Sequence, residues 1–142
     1  MKRILVPVDF SGITAKVLRH AVRLAEQSSG RLWLLHVASP DPEFVGFKAG
    51  PASVRREVAH RFRTEHRRLQ ARAANLRKKG LKAEALLVQG PTVAMILKEA
   101  VRLKCGLIVM GSHSHGTLHR VLMGSVTEGV VRKATCPILL VK

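Results

Sequence analysis

Ile4-Leu5-Val6-Pro7-Val8-Asp9-Phe10-Ser11 opens the chain with a short, β-branched and almost wholly apolar run that ends on an acid. A run without polar alternation has no face to turn to water, so it belongs in a parallel sheet covered on both sides. Leu32 to Val37, Ala85 to Val88, Leu107 to Met110 and Ile138 to Val141 repeat that character. Helical stripes separate these runs. Ile13, Val17, Ala21, Leu24 and Ala25 form the first. Val54, Val58, Phe62, Leu69, Ala73 and Leu76 form the second, along a very basic segment from about Ala52 to Lys79. Val93, Ile96, Leu97 and Ala100 make the third, and Val126, Val130 and Val131 a shorter fourth. Each places its apolar residues on one side of a 3.6-residue period.

The order is β-α-β-α-β-α-β-α-β, and right-handed crossovers wind such a chain into one architecture. The fold class expected is α/β: an open twisted five-stranded parallel sheet, doubly wound and Rossmann-like, with helices on both faces, in a single domain over residues 1–142. Ligands in such sheets bind beyond the carboxyl ends of the strands, where the winding direction reverses. The loops to read are therefore Asp9 to Gly12, Ala38 to Pro51 and Gly111 to Gly124. Gly30, Gly80, Gly90-Pro91 and Gly106 stand at the other junctions and need only a turn to explain them.

Composition narrows the class. The chain carries 25 Lys and Arg against 9 Asp and Glu, a formal net charge of +16, and is 46% hydrophobic, which excludes disordered and collagen-like chains. No stretch approaches the ~18 uninterrupted apolar residues of a membrane span. Pro7 and Asp9 break the first apolar run before it reaches signal-peptide length, so a cytoplasmic protein is expected. Cys105 and Cys136 lie far apart with no second thiol nearby, which reads as buried free thiols.

From Gly111 the chain reads Gly-Ser-His-Ser-His-Gly-Thr-Leu-His-Arg-Val-Leu-Met-Gly-Ser-Val-Thr-Glu, ending at Glu128. Gly124-Ser125 stands where the last helix begins, and exposed amides at a helix start favour an anion. Ser125 and Glu128 also have the spacing of a capping box, which would explain them without any ligand. His113, His115 and His119 in the same loop suit contacts to a polyphosphate better than a metal site, which needs further ligands and outer partners. Arg120 could pair with phosphate oxygens or simply be a solvated arginine. Neither a GxxxxGK[ST] loop nor a GxGxxG fingerprint is present.

These residues bring a family into view. Ile4-Leu-Val-Pro-Val-Asp-Phe-Ser11, Leu35-His-Val37, Leu107-Ile-Val-Met-Gly-Ser-His113, Met123-Gly-Ser-Val-Thr-Glu128 and Cys136-Pro-Ile-Leu-Leu-Val141 together resemble the universal stress protein family over essentially the whole chain. ATP-binding members of that family carry G-x2-G-x9-G-[S/T]. Here Gly111 is followed by Ser114 where the second glycine belongs, then by nine residues to Gly124-Ser125. Serine costs on the order of 1 kcal/mol more than glycine at positive φ, although its hydroxyl can donate a hydrogen bond and Gly116 could absorb some of the turn. Gly106 is a second departure, standing where relatives often have an aspartate.

The resemblance implies ATP as ligand, alone or with Mg2+. It implies a site made of Pro7, Val8, Asp9, Val37, Met110, Gly111, Ser114, Gly124, Ser125 and Val126. Asp9 would meet the ribose hydroxyls, Val37 the adenine edge, Met110 and Gly111 the floor, and Ser114, Gly124, Ser125 and Val126 the phosphates. Read on its own, Asp9 could equally cap the helix at Ser11 to Thr14, and Val37 could be plain sheet core. No general base is identifiable, so a sensor or regulator fits better than a turnover enzyme. The last strand, Ile138 to Val141, would be an apolar edge in a monomer. Dimerisation through that strand is what the resemblance implies. Two other readings remain: a protein without nucleotide that acts through its surface, and a module that binds nucleic acid or another polyanion with the helix carrying ten Lys and Arg from Arg55 to Lys79.

Overall fold

The computed structural model describes residues 2–38, 52–112 and 123–142, apart from the Val54 side chain. The long loop expected to end at Pro51 and the residues His113, Ser114, His115, Gly116, His119 and Arg120 lie outside them. The elements are β1 (Arg3–Pro7), α1 (Thr14–Ser28), β2 (Arg31–Ala38), α2 (Ala52–Lys78), β3 (Lys82–Gln89), α3 (Thr92–Arg102), β4 (Leu107–Gly111), α4 (Ser125–Lys133) and β5 (Ile138–Val141). All strands pair in parallel, in the order β3-β2-β1-β4-β5. This is the five-stranded α/β sheet expected from the apolar runs.

Strand periodicity assigns each side chain to a face. Ile4, Val6 and Val8 of the first strand segment, Leu32 and Leu34 of β2, and Leu107 and Val109 of β4 pack with Val17, Ala21 and Ala25 of α1 and with Leu69 and Ala73 of α2. Their neighbours Leu5, Trp33, Leu35, Ile108 and Met110 point the other way, onto Ile96 and Ala100 of α3 and Val130 of α4. Helices α1 and α2 thus cover one face, α3 and α4 the other. The absence of polar alternation in these strands is the direct consequence.

The structure corrects two details. β3 begins at Lys82, three residues before the apolar run at Ala85, because an edge strand can alternate: Lys82 and Glu84 are exposed while Ala83 is buried. Exposed Glu84 pairs with Arg31 on β2 at 2.9 Å. Nor do the expected glycines make every turn. Gly80 and Gly90 do take positive φ, but before Gly30 and Gly106 the left-handed residues are Ser29 (φ 49°) and Lys104 (φ 50°). The Gly30 amide then closes α1 by donating to the Ala25 carbonyl at 2.8 Å.

Both cysteines are free thiols, Cys105 buried and Cys136 partly so. Burial raises both thiols, Cys105 to about 11. No helix among the described residues is long and apolar enough to cross a membrane.

Two outcomes follow. Leu69, fully buried where α2 meets the sheet, should cost about 2–5 kcal/mol when cut to alanine, whereas Val101→Ala at a 66% exposed site should stay within about 0.5 kcal/mol by urea denaturation. At pH 8 the folded protein should resist iodoacetamide at Cys105 and take up label at both thiols once unfolded, as counted by intact mass.

Candidate functional site

β1 feeds α1 on one face of the sheet, while its neighbour β4 feeds α4 on the opposite face. Two adjacent strands whose continuations leave in opposite directions open a crevice at their carboxyl ends. A cleft of about 510 Å³ lies there.

Nine of the ten expected site residues line it: Pro7, Val8 and Asp9 from the end of β1, Val37 from β2, Met110 and Gly111 from β4, and Gly124, Ser125 and Val126 from the start of α4. Ser114, the tenth, is outside the described residues. The cleft also takes in Thr14, His36, Thr92, Ile96 and Thr127, which the sequence reading missed. Thr92 was overlooked because β3 lies at the sheet edge. The crossover from β3 to β4 carries α3 back over the opposite face and delivers its first residue to the crevice. A hydroxyl directly after Gly90-Pro91 was the available signal.

The floor is made by close approach. A Cβ at Gly111 would stand 3.0 Å from Ile13 Cγ2, so glycine lets the start of α1 close over the end of β4. The Thr127 hydroxyl, itself buried, donates to the Gly111 carbonyl at 3.0 Å and pins the first turn of α4 to the same strand. Ser112 continues the strand edge by donating its amide to Val141 at 2.9 Å.

The start of α4 differs from the capping box expected. Its N-cap is Gly124, one residue earlier, and among the described residues no side chain caps the helix. Glu128 instead pairs with Arg132 at 2.8 Å on the exposed side. The Glu128 amide donates to the Gly124 carbonyl at 2.8 Å, so Ser125, Val126 and Thr127 occupy the first three positions, whose amides have no acceptor within the helix. This is an amide-rich, electropositive wall with no side chain at Gly124 to block it.

The opposite wall is an acid on a tightly tied turn. Asp9 Oδ1 accepts from the Ser11 amide at 2.9 Å, the Ser11 hydroxyl at 2.6 Å and the Thr14 hydroxyl at 3.2 Å. Asp9 therefore ties the turn ahead of α1 but does not cap the helix, whose N-cap is Ile13 without a side-chain cap, and it still lines the cleft. Between these walls β2 overreaches its neighbour. β1 pairs with β2 only as far as Pro7 opposite Leu35, while β2 runs on to Ala38 against β3. Val37 thus presents backbone beyond the last β1 pairing.

A second set of contacts braces the turn. Phe10 sits at φ 58°, in a region costly for a residue with a side chain. The Arg68 guanidinium of α2 covers its ring at 4.3 Å, and the His36 ring lies 4.7 Å away. His36 Nδ1 meets the Val8 carbonyl at 2.7 Å, and Nε2 meets Glu65 Oε2 of α2 at 3.2 Å. Among the described residues no group of three His, Cys, Asp or Glu could hold a metal.

The Universal stress protein family model matches residues 1–142. A universal stress protein of Thermus aquaticus is 32% identical over 142 residues, covering 99% of this chain and 98% of that one. A solved structure from Methanocaldococcus jannaschii, known as MJ0577, superposes with a TM-score of 0.75 at 30% identity, covering 99% and 95%. Two further structures share the fold at 22% identity. One is a universal stress protein in complex with cAMP (TM-score 0.70; 99% and 97% covered), the other the Archaeoglobus fulgidus universal stress protein in complex with dAMP (TM-score 0.67; 100% and 98%).

Replacing His36 with alanine leaves the Val8 carbonyl and the Glu65 carboxylate without their shared partner. A stability loss of about 1–3 kcal/mol is expected by urea denaturation.

Proposed function

The chain belongs to the universal stress protein family, and from that premise we propose that it binds ATP in the cleft between β1 and β4 and acts as a cytosolic sensor or regulator. One observation carries the reading: the uncapped amides of α4 and the Asp9 carboxylate stand on either side of one crevice at the strand reversal. A volume of about 510 Å³ is within the usual range for small-molecule sites, roughly 300–1,000 Å³. The complexes of relatives with cAMP and dAMP support an adenine nucleotide.

In this arrangement the adenine lies against Val37 and Met110, where apolar surface meets unpaired strand backbone. The ribose hydroxyls donate to Asp9, whose acid can accept what a neutral side chain at that position could not match. The α4 amides of Ser125 and Val126 donate to the phosphates, with Gly111 and Gly124 keeping the approach open and Ser114 supplying a hydroxyl in place of the motif glycine. Mg2+, when present, would neutralise phosphate oxygens that these amides leave uncovered.

The same reading makes the protein a homodimer through β5. That strand ends the sheet, and Leu139 on it is 37% exposed. A twin strand would cover it.

Titration calorimetry with Mg-ATP should give saturable binding at one per chain, and Gly124→Asp, which sets a carboxylate against the phosphates, should abolish the heat. Absence of binding by the natural sequence at millimolar ATP would refute the reading. Leu139→Lys should convert a dimer to a monomer in light scattering while leaving the ATP stoichiometry per chain unchanged.

A further inference from the structure

Helix α2 holds the densest charge in the chain: ten Lys and Arg against Glu57 and Glu65 between positions 55 and 79. The structure divides these cations by task. Leu69 and Ala73 face the core, and from that reference the helical period sorts the rest. Arg68 and Arg72 lie over the Phe10 ring, at 4.3 and 5.8 Å. Arg77 donates to the Ala83 carbonyl at 2.8 Å. These belong to the fold.

Of the seven that remain, Arg55, Arg61 and Lys79 lie off to the sides and four make a line on the outer face. Arg56, His60, Arg63, Arg67 and Lys78 recur at intervals of four, three, four and eleven residues, all are exposed, and they share one side of the helix. Neither acid of the helix falls on that side. Glu65 turns inward to His36, and Glu57 lies off the line. Among the described residues Arg56, Arg63, Arg67 and Lys78 have no carboxylate partner. From Arg56 to Lys78 the line runs about 33 Å at 1.5 Å per residue, close to one turn of a B-form duplex at ~34 Å.

We infer that this face of α2 is a docking surface for the sugar-phosphate backbone of double-stranded nucleic acid, bound without regard to sequence. Four cations on one side of a helix, three of them within about 17 Å and Lys78 about 17 Å further on, can meet phosphates where a duplex backbone crosses the helix and release counterions on contact. A single strand fits less well, because it needs exposed aromatic rings to stack on. Of the rings along α2, Phe62 is half-buried and covered by Arg61 at 5.6 Å, and Phe10 is covered by Arg68. A lipid surface fits less well again, since the line includes no large apolar side chain. No residue of α2 lines the β1–β4 cleft, so this surface stands whether or not the cleft holds nucleotide.

Fluorescence anisotropy with a labelled 30-base-pair duplex between 50 and 300 mM KCl tests it, using the full chain. The natural sequence should bind with a log Kd against log salt slope of magnitude about 3.5, as expected for four phosphate contacts. Arg63→Gln with Arg67→Gln should weaken binding at least tenfold at 50 mM and flatten the slope by about 2. Lys98→Gln with Lys133→Gln, which removes the same charge from the helices on the other face, should stay within twofold. Circular dichroism melts that match the natural protein keep folding out of the comparison. Absence of binding at 10 µM protein in 50 mM KCl, equal losses in the two double variants, or equal competition by polyglutamate or by phosphatidylserine vesicles would each overturn the inference.

Discussion

Everything in this molecule depends on β1 and β4 being buried on both faces while sending their chains to opposite sides. Ile4, Val6 and Val8 point to one helical layer and Leu5 to the other, and Val109 and Met110 of β4 divide in the same way. Two-sided burial requires helices on both faces, and right-handed crossovers leave one place in the sheet where the winding reverses. The cleft is the gap left at that reversal. It follows from the strand pattern and needs no residue selected for a ligand.

What converts that gap into a chemical site is backbone. Gly111 lets α1 lie against β4 because a Cβ there would crowd Ile13 at 3.0 Å, and Thr127 ties α4 to the carbonyl of the same residue. Three elements therefore meet at one glycine, and the α4 amides are held in register with the end of β1 by that meeting. A capping side chain would have consumed the amides. The helix begins instead at Gly124, and its acid, Glu128, is drawn off to Arg132. Three donors on Asp9 Oδ1 fix the carboxylate on the other wall. Both walls are thus fixed by contacts within the fold, which in the proposed reading lowers the ordering cost of binding.

The fold could be read from the sequence because two-sided apolar runs and 3.6-residue stripes are local signals. The reversal rule pointed to the loops after the first, second and fourth strands, and nine of the ten residues that the family resemblance implied line the cleft there. Signals that arise between distant segments were illegible. Beyond the hydroxyl after Gly90-Pro91, nothing near Thr92 tells that α3 swings back to the crevice, whereas the Glu128–Arg132 pair, four residues apart on one helix, was a local signal left unread. The turns at Gly30 and Gly106 put a left-handed residue shortly before the glycine, at Ser29 and Lys104, at a modest cost that their side chains alone do not announce. The early start of β3 was hidden by edge exposure, which allows Lys82 and Glu84 into a strand.

The basic helix shows why a net charge is not a functional feature until its members are sorted. Composition assigns ten equivalent cations to the segment, yet at least three have structural partners. Arg68 and Arg72 cover Phe10, which holds a costly backbone angle on the very turn that carries Asp9, and Arg77 secures the entry to β3. Removing those would disturb folding and the cleft together, so their loss could not distinguish a docking surface from a brace. Among the described residues the outward line of Arg56, Arg63, Arg67 and Lys78 has no carboxylate partner, so its charges raise self-repulsion within one helix. Like charges along one side of a helix repel, and in the inference drawn above a polyanion laid along them would offset that repulsion.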